Sequence, residues 1–325
     1  MKRRQLLGAG ALSLVAPHAI IRAQQPPHKL RFGVDQFAIG SQVWVAQEKG
    51  FFQRNGVDAQ ITPFATGADT LDAVLTERLD FGLGFDFATL PRLQTGQLKL
   101  ISAIAEPLPG FHKLAVHKSI TQPSELAGKR IGIARSTAQH LVTIKYLENA
   151  AKLKTSAVNL VPLPSLIEII AALRSNRIDA AFVWGDGTAQ VEQIADAAIL
   201  GDDAPANARA FGFLATRKRV AEAQAAGIDA TIKALIEATD WMAANADEAA
   251  SVVAGKSRAP VENLRRIIPS QNFTISLKPI HLAGLQSVAA FAAENAITKT
   301  LIDPKEHFDL SFMRRVAPSR VTLQL

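Results

Sequence analysis

Five short segments of this sequence hold residue types that can grip a small polar molecule. They are Gln36-Phe37-Ala38, Ala65-Thr66-Gly67, Gly84-Phe85-Asp86, Arg135-Ser136-Thr137 and Trp184-Gly185-Asp186. Each follows a run that reads as a β-strand. In open α/β sheets, ligands sit beyond the carboxyl ends of the strands, where helices begin. The helix starts at Thr66 and Ser136 present backbone N–H groups and the positive end of a helix dipole. Thr66, Ser136 and Thr137 add hydroxyls. Arg135 adds a planar guanidinium suited to a carboxylate or sulfonate. Asp86 and Asp186 would repel a bare inorganic anion and accept hydrogen bonds from an amine, ring nitrogen or hydroxyl. Phe37, Phe85 and Trp184 suit a flat or apolar body. The chemistry expected is capture of a small organic molecule with an acidic end and a hydrogen-bonding end. Plainer readings stand beside it. Ser, Thr and Asp cap helices in every fold, the aromatics also read as core, and Arg135 also reads as a surface residue.

Other chemistries are excluded or weakly supported. There is no cysteine, which removes thiolate catalysis, disulfides, cysteine-bound zinc and iron–sulfur clusters. The seven histidines are scattered, with no H-x-x-x-H pair, so no metal and no cofactor is expected. No Gly-x-Ser-x-Gly elbow or paired catalytic carboxylates appear. The net charge is +7, from 36 basic and 29 acidic residues. Lys2, Arg3, Arg4 and Arg22 belong to an N-terminal leader, and without them 32 basic face 29 acidic residues, or +3. That balance, with no basic stripe interleaved with aromatics, argues against nucleic acid.

The leader is read from three features. Lys2-Arg3-Arg4 is positive, Leu6 to Val15 is a short apolar run, and small residues follow at Ala16, Ala19 and Ala23. This predicts a signal peptide over residues 1–23, cleaved near Ala23, and an exported, soluble, periplasmic protein. Arg3-Arg4-Gln5-Leu6-Leu7 resembles a twin-arginine export motif. It lacks the aromatic and the downstream lysine, so the general secretory route stays open. No later stretch is long and apolar enough to span a membrane.

The elements that must position the site alternate between strand and helix. Strands are expected at Lys29–Val34, Val57–Pro63, Asp80–Gly84, Lys99–Ala105, Lys113–Val116, Arg130–Ala134, Val158–Pro162, Ile178–Trp184 and Phe211–Thr216. Thr66 to Asp69 and Ser165 to Glu168 have the spacing of capping boxes. Asp80 and Asp179 stand at strand entrances and read as structural turn residues. Leu75 to Gly82 and Leu173 to Ala181 echo each other. The expected fold is α/β and two-lobed, each lobe a mostly parallel sheet flanked by helices, with the ligand between lobes. The expected domains are 28–110 for the first part of lobe one, 111–214 for lobe two, and 215–325 for the completion of lobe one and a helical tail. The crossings are expected near Glu106–Lys113 and Phe211–Arg217.

The motifs resemble one family in order and spacing. Ala46-Gln47-Glu48-Lys49-Gly50-Phe51-Phe52 with Gly56-Val57, Thr66-Gly67, Leu79-Asp80-Phe81-Gly82, Leu126-Ala127-Gly128-Lys129-Arg130-Ile131-Gly132 and Ile178-Asp179-Ala180-Ala181 are similar to the sulfonate-, nitrate-, taurine- and thiamine-precursor-binding branch of type II periplasmic binding proteins. The chain departs from that family at Trp184-Gly185-Asp186-Gly187, where an acid and a proline often follow the tryptophan. It departs again at Lys152-Leu153, where a glycine is common. The resemblance implies a monomeric, non-enzymatic solute-binding protein of an ABC importer. Its partners would be a small-molecule ligand and an inner-membrane permease with its ATPase. Thr66 and Gly67 fall on the family's motif. Two other readings are a thiamine-pyrimidine-synthase-like enzyme, whose cysteine-rich motif is absent here, and a sensory receptor that presents its ligand. The third, the effector lobe of a transcription regulator, is opposed by a leader in place of a DNA-binding helix pair.

Overall fold

The alternating run at the start of the mature chain forms β1 (His28–Asp35), with Leu30, Phe32 and Val34 buried. The computed structural model describes residues 26–35, 39–135, 137–257, 259–294 and 297–325. The leader expected over residues 1–23 lies outside the described residues.

After β1, helix α1 (Ser41–Glu48) ends at Gly50, whose φ of 69° reverses the chain into α2 (Phe51–Arg54). Strand β2 (Val57–Phe64), α3 (Gly67–Leu75), β3 (Phe81–Phe85) and α4 (Asp86–Leu93) complete a first unit. Strand β4 (Leu98–Pro107) leads through residues 108–112 to β5 (Lys113–His117). A second unit follows: β6 (Arg130–Ile133), α5 (Ala138–Asn149), β7 (Asn159–Pro162), α6 (Leu166–Arg174), β8 (Ala180–Val183), α7 (Gly187–Val191) and β9 (Ala197–Asp202). Residues 203–211 lead to β10 (Gly212–Arg217), and β11 (Gln271–Ser276) comes after several helices.

These strands form two sheets. One has the order β11-β4-β10-β3-β1-β2 and the other β7-β6-β8-β5-β9. The α/β, two-lobed class holds, but the sheets are mixed and not mostly parallel. The βαβ units give parallel pairs, β1 with β2 and β3, and β6 with β7 and β8. The strands that enter or leave a lobe pair antiparallel: β10 with β3 and β4, β11 with β4, and β5 with β8 and β9. None of these antiparallel pairs is made by a βαβ crossover, the connection that sets two strands parallel; each includes a strand next to a crossing between the sheets or one that returns after the helical segment.

The chain crosses between sheets at residues 108–112 and 203–211. The first crossing lies inside the expected one. The second precedes its expected place at Phe211–Arg217, because Gly212 to Arg217 is itself a strand of the first sheet. The boundary expected at residue 214 therefore falls inside β10.

The two units are built alike. Asp80 accepts hydrogen bonds from the backbone N–H and guanidinium of Arg31, and Asp179 does the same for Arg130. Both pairs are 49 residues apart. Glu77 and Asn176, at the turns before those aspartates, both have positive φ. The first sheet packs on one large core that includes Phe32, Phe81, Phe213 and the helix Ala225–Ala244. The second sheet has a smaller core on each face, one around Ile169 and Val183 and one around Tyr146 and Phe182. Among the described residues, no helix is long and apolar enough to cross a membrane.

Candidate ligand-binding cleft

A cavity of about 60 Å³ lies between the two sheets, smaller than the roughly 300–1,000 Å³ of open small-molecule sites. Its walls come from strand ends and from the first crossing. Asp35 and Ile39 flank the end of β1, Thr66 and Gly67 follow β2, and Phe85 ends β3. Thr137, Ala138 and Gln139 stand after β6, and Trp184 after β8. Phe111 and His112 come from residues 108–112, and Gln271 opens β11.

Two helices begin at this cavity, one from each sheet, and they differ. Thr66 caps α3: its hydroxyl accepts from the Asp69 N–H, and the Asp69 carboxylate accepts from the Thr66 N–H. Asp69 thus places a negative charge in the first turn. Gly67 is required there, since a Cβ would stand 2.7 Å from the Leu83 carbonyl oxygen. Helix α5 starts otherwise. Thr137 donates its hydroxyl to the Ala134 carbonyl at 2.7 Å and caps no N–H. No acidic residue lies in the first turn of α5. The helix of twelve residues therefore turns toward the cavity a positive dipole end with no acidic side chain in its own first turn.

The adjoining side chains are held firmly. The Gln139 amide accepts from Ala134 N–H at 2.9 Å and donates to the Gly132 and Phe182 carbonyls, tying α5 to the ends of β6 and β8. His112 stacks edge-on with Phe111 at 4.9 Å and faces Trp184 at 6.4 Å. Its Nδ1 lies 2.8 Å from Asp203 on the second crossing. Phe85, Phe111 and Trp184 give the cavity wall three aromatic side chains among smaller apolar and polar ones.

The structure brings together Thr66, Gly67, Thr137 and Trp184 from the expected site. Phe37 and Ser136 lie outside the described residues. Arg135 is exposed and not on the cavity wall. Asp86 is buried beneath it, where its carboxyl accepts from the Phe87 and Phe211 N–H groups at 2.7 and 3.1 Å. Burial pushes this carboxyl up to about 7, against the pull of those two N–H bonds. Asp86 follows a strand end as expected, but its side chain joins α4 to β10 and does not face a ligand. Asp186 also stands off the wall. One of its oxygens accepts from Gln190 at 2.8 Å, and the other is buried with no partner among the described residues. Sequence reasoning missed Asp35, Phe111, His112 and Gln271. The signal for Phe111 and His112 was their place in an expected crossing. Gln271 has none, since it arrives from far along the chain.

Among the described residues, no cluster of three His, Cys, Asp or Glu side chains could hold a metal ion. The NMT1/THI5-like family model matches residues 41–249, which run from α1 through the whole second sheet and past β10.

The chain belongs to the NMT1/THI5-like family.

Relatives of this NMT1/THI5-like chain agree along its length. A protein of Brucella abortus named as a binding protein is 25% identical over 322 residues, covering 95% of this chain and 98% of that one. The taurine-binding periplasmic protein of Escherichia coli is 27% identical over 208 residues, 62% of this chain and 63% of its own. Among solved structures, the alkanesulfonate-binding protein from Xanthomonas axonopodis pv. citri, bound to MOPS, superposes with a TM-score of 0.76. It is 18% identical and covers 88% of this chain and 99% of its own. The desulfurization enzyme DSZB has the same fold, with a TM-score of 0.65 at 16% identity, over 90% of this chain and 99% of its own. One DSZB structure is a cysteine-to-serine variant with biphenyl-2-sulfinic acid. At these identities the shared property is the fold.

Proposed function

We propose that this chain is an extracytoplasmic solute-binding protein that captures a small organic anion between its lobes. It would then hand the solute to an inner-membrane permease driven by an ATPase. One observation carries the reading: an uncapped helix start free of acidic residues, at α5, faces a partly aromatic cavity whose other wall belongs to the other lobe. Helix N-termini of this kind hold carboxylates, sulfonates and phosphates. The aromatic side chains favour an organic body over a bare inorganic ion. The relatives named for taurine and alkanesulfonates support a sulfonate or carboxylate as the acidic end. The N-terminal sequence pattern supports export to the periplasm.

The role is binding and not catalysis. The chain has no cysteine, so it carries no counterpart to a thiol nucleophile. A thermal-shift screen of the mature protein with alkane- and arenesulfonates, carboxylates and sulfate tests the reading. A solute at a hundred times its Kd stabilises by about 2.7 kcal/mol. Stabilisation by organic anions, greater than by sulfate, is the expected result. No response to any anion would overturn it.

A further inference from the structure

Gln271 opens β11 and borders the cleft, yet it is only 7% exposed. Neither its Nε2 nor its Oε1 has a hydrogen-bond partner among the described residues. Buried amides are ordinarily bonded, because leaving both a donor and an acceptor dry is unfavourable. The neighbouring Gln139 shows the ordinary case, with all its amide contacts made to backbone groups. Gln271 instead holds an unpaired donor and an unpaired acceptor, both buried, on a side chain that borders the cavity.

Its place in the fold links it to the hinge. Gln271 is in register with Pro107, the last residue of β4, and Leu108 donates to the Ser270 carbonyl. Residues 108–112 then cross to the other lobe. The side chain also borders a groove with Thr239 and Met242. Toward the cleft it joins Asp35, Phe85 and Phe111 in the lining.

Resting on the solute-binding reading, we infer that Gln271 is the specificity determinant of the cleft. It reads a carboxamide-type edge, a donor and an acceptor side by side, at the end of the solute away from its anionic group. The solute class is then an organic anion with an aromatic or apolar body and a carbamoyl or similar cyclic amide end.

The test uses benzenesulfonate, 3- and 4-carbamoylbenzenesulfonate, and the matching benzoates, titrated by calorimetry into the mature protein and its Gln271→Leu variant. A carbamoyl compound should bind the parent about tenfold more tightly than its unsubstituted partner, the scale of two net hydrogen bonds. In Gln271→Leu the ratio of the two affinities should fall to about one. Equal binding of both compounds by the parent, or a preference that survives in the variant, would overturn the inference and leave the cleft reading standing. No binding by any of these acids would overturn both. A ligand-free melt gives an independent check. Gln271→Leu should raise the Tm, because it removes an unpaired buried amide, and a lower Tm would show that the amide serves the fold and not a solute.

Discussion

The His112 ring nitrogen Nδ1 lies 2.8 Å from Asp203 Oδ2, so the two crossings between the sheets are fastened to each other. The same carboxylate accepts from the Gly110 and His112 N–H groups. Burial alone would push the Asp203 carboxyl up; the bonds from His112 and Gly110 outweigh it and hold it below the usual range. The hinge of the molecule is thus a built joint, and His112 carries it to the cavity wall. Asp203→Ala should cost about 2–3 kcal/mol, the scale of a buried charge-assisted bond, read by urea denaturation at pH 7. The carboxyl's depressed value fixes the sign with pH. This stabilisation is present above the ordinary carboxylate range and lost as acid titrates the folded protein below it.

Asp86 serves the fold. Its two oxygens face two different backbone N–H donors, and an amide can offer an acceptor to only one. Asp86→Asn should therefore lower stability by about 1–3 kcal/mol and leave the affinity for any stabilising anion within about twofold, since Asp86 is off the cavity wall and a surface-distant change adds little. Calorimetry alongside melting separates the two effects. A large change in affinity would return Asp86 to the site.

Acid should weaken the protein through its buried histidines. Burial, with Arg135 nearby, lowers His140 to about 4, and burial with Lys278 and Arg209 lowers His281 to about 4. The Nδ1 of His281 also accepts from the Lys278 N–H, a role it loses when protonated. The unfolded chain takes up these protons near pH 6.5 and the folded chain does not. Stability therefore falls from about pH 6.5 to about pH 4. Asp86 acts in the opposite sense over much of that window, because its raised value makes the folded state hold a proton that the unfolded state has lost. Each group contributes up to about 1.4 kcal/mol per pH unit. Asp86→Asn should thus steepen the acid loss, and His140→Gln with His281→Gln should flatten it, in melts run from pH 7 to pH 4.5.

Much of the fold was legible because local chemistry repeats. Asp80 and Asp179 read as turn residues at strand entrances, and each is fixed to an arginine one strand away. Thr66 and Ser165 read as caps, and both accept from the N–H three residues on. Only Thr66 completes the reciprocal box. Asp179→Ala should cost about 1–2 kcal/mol, mostly through the bond to Arg130 N–H, since the half-exposed guanidinium is screened by water. Its Tm should fall while anion binding is unchanged.

The site was half legible. Thr66, Gly67, Thr137 and Trp184 follow strand ends, which local pattern reveals. Asp86 follows one too, but which way an acid at a helix start faces depends on β10, a strand more than a hundred residues later. Arg135 matched an anion by type, and its exposure depends on how α5 packs. Phe111, His112 and Gln271 reach the cleft through the crossings and through β11, whose pairing with β4 joins residues over 160 positions apart. The mixed sheets have the same origin, since antiparallel pairing of β5, β10 and β11 is set by lobe connections and not by the strands' own residues.

The central claim is that the start of α5 binds the anionic end of the solute. Thr137→Asp tests it most directly. Aspartate cannot donate to the Ala134 carbonyl as the Thr137 hydroxyl does, but it can accept from the N–H groups of the first turn, so stability should change by no more than about 1–2 kcal/mol. Its carboxylate would occupy the helix start and repel the solute. Calorimetry with the strongest organic anion from the thermal-shift screen should show at least about a tenfold loss of affinity, the scale of one lost charge-assisted bond plus repulsion. A stable Thr137→Asp protein that binds the anion as tightly as the parent would contradict the account.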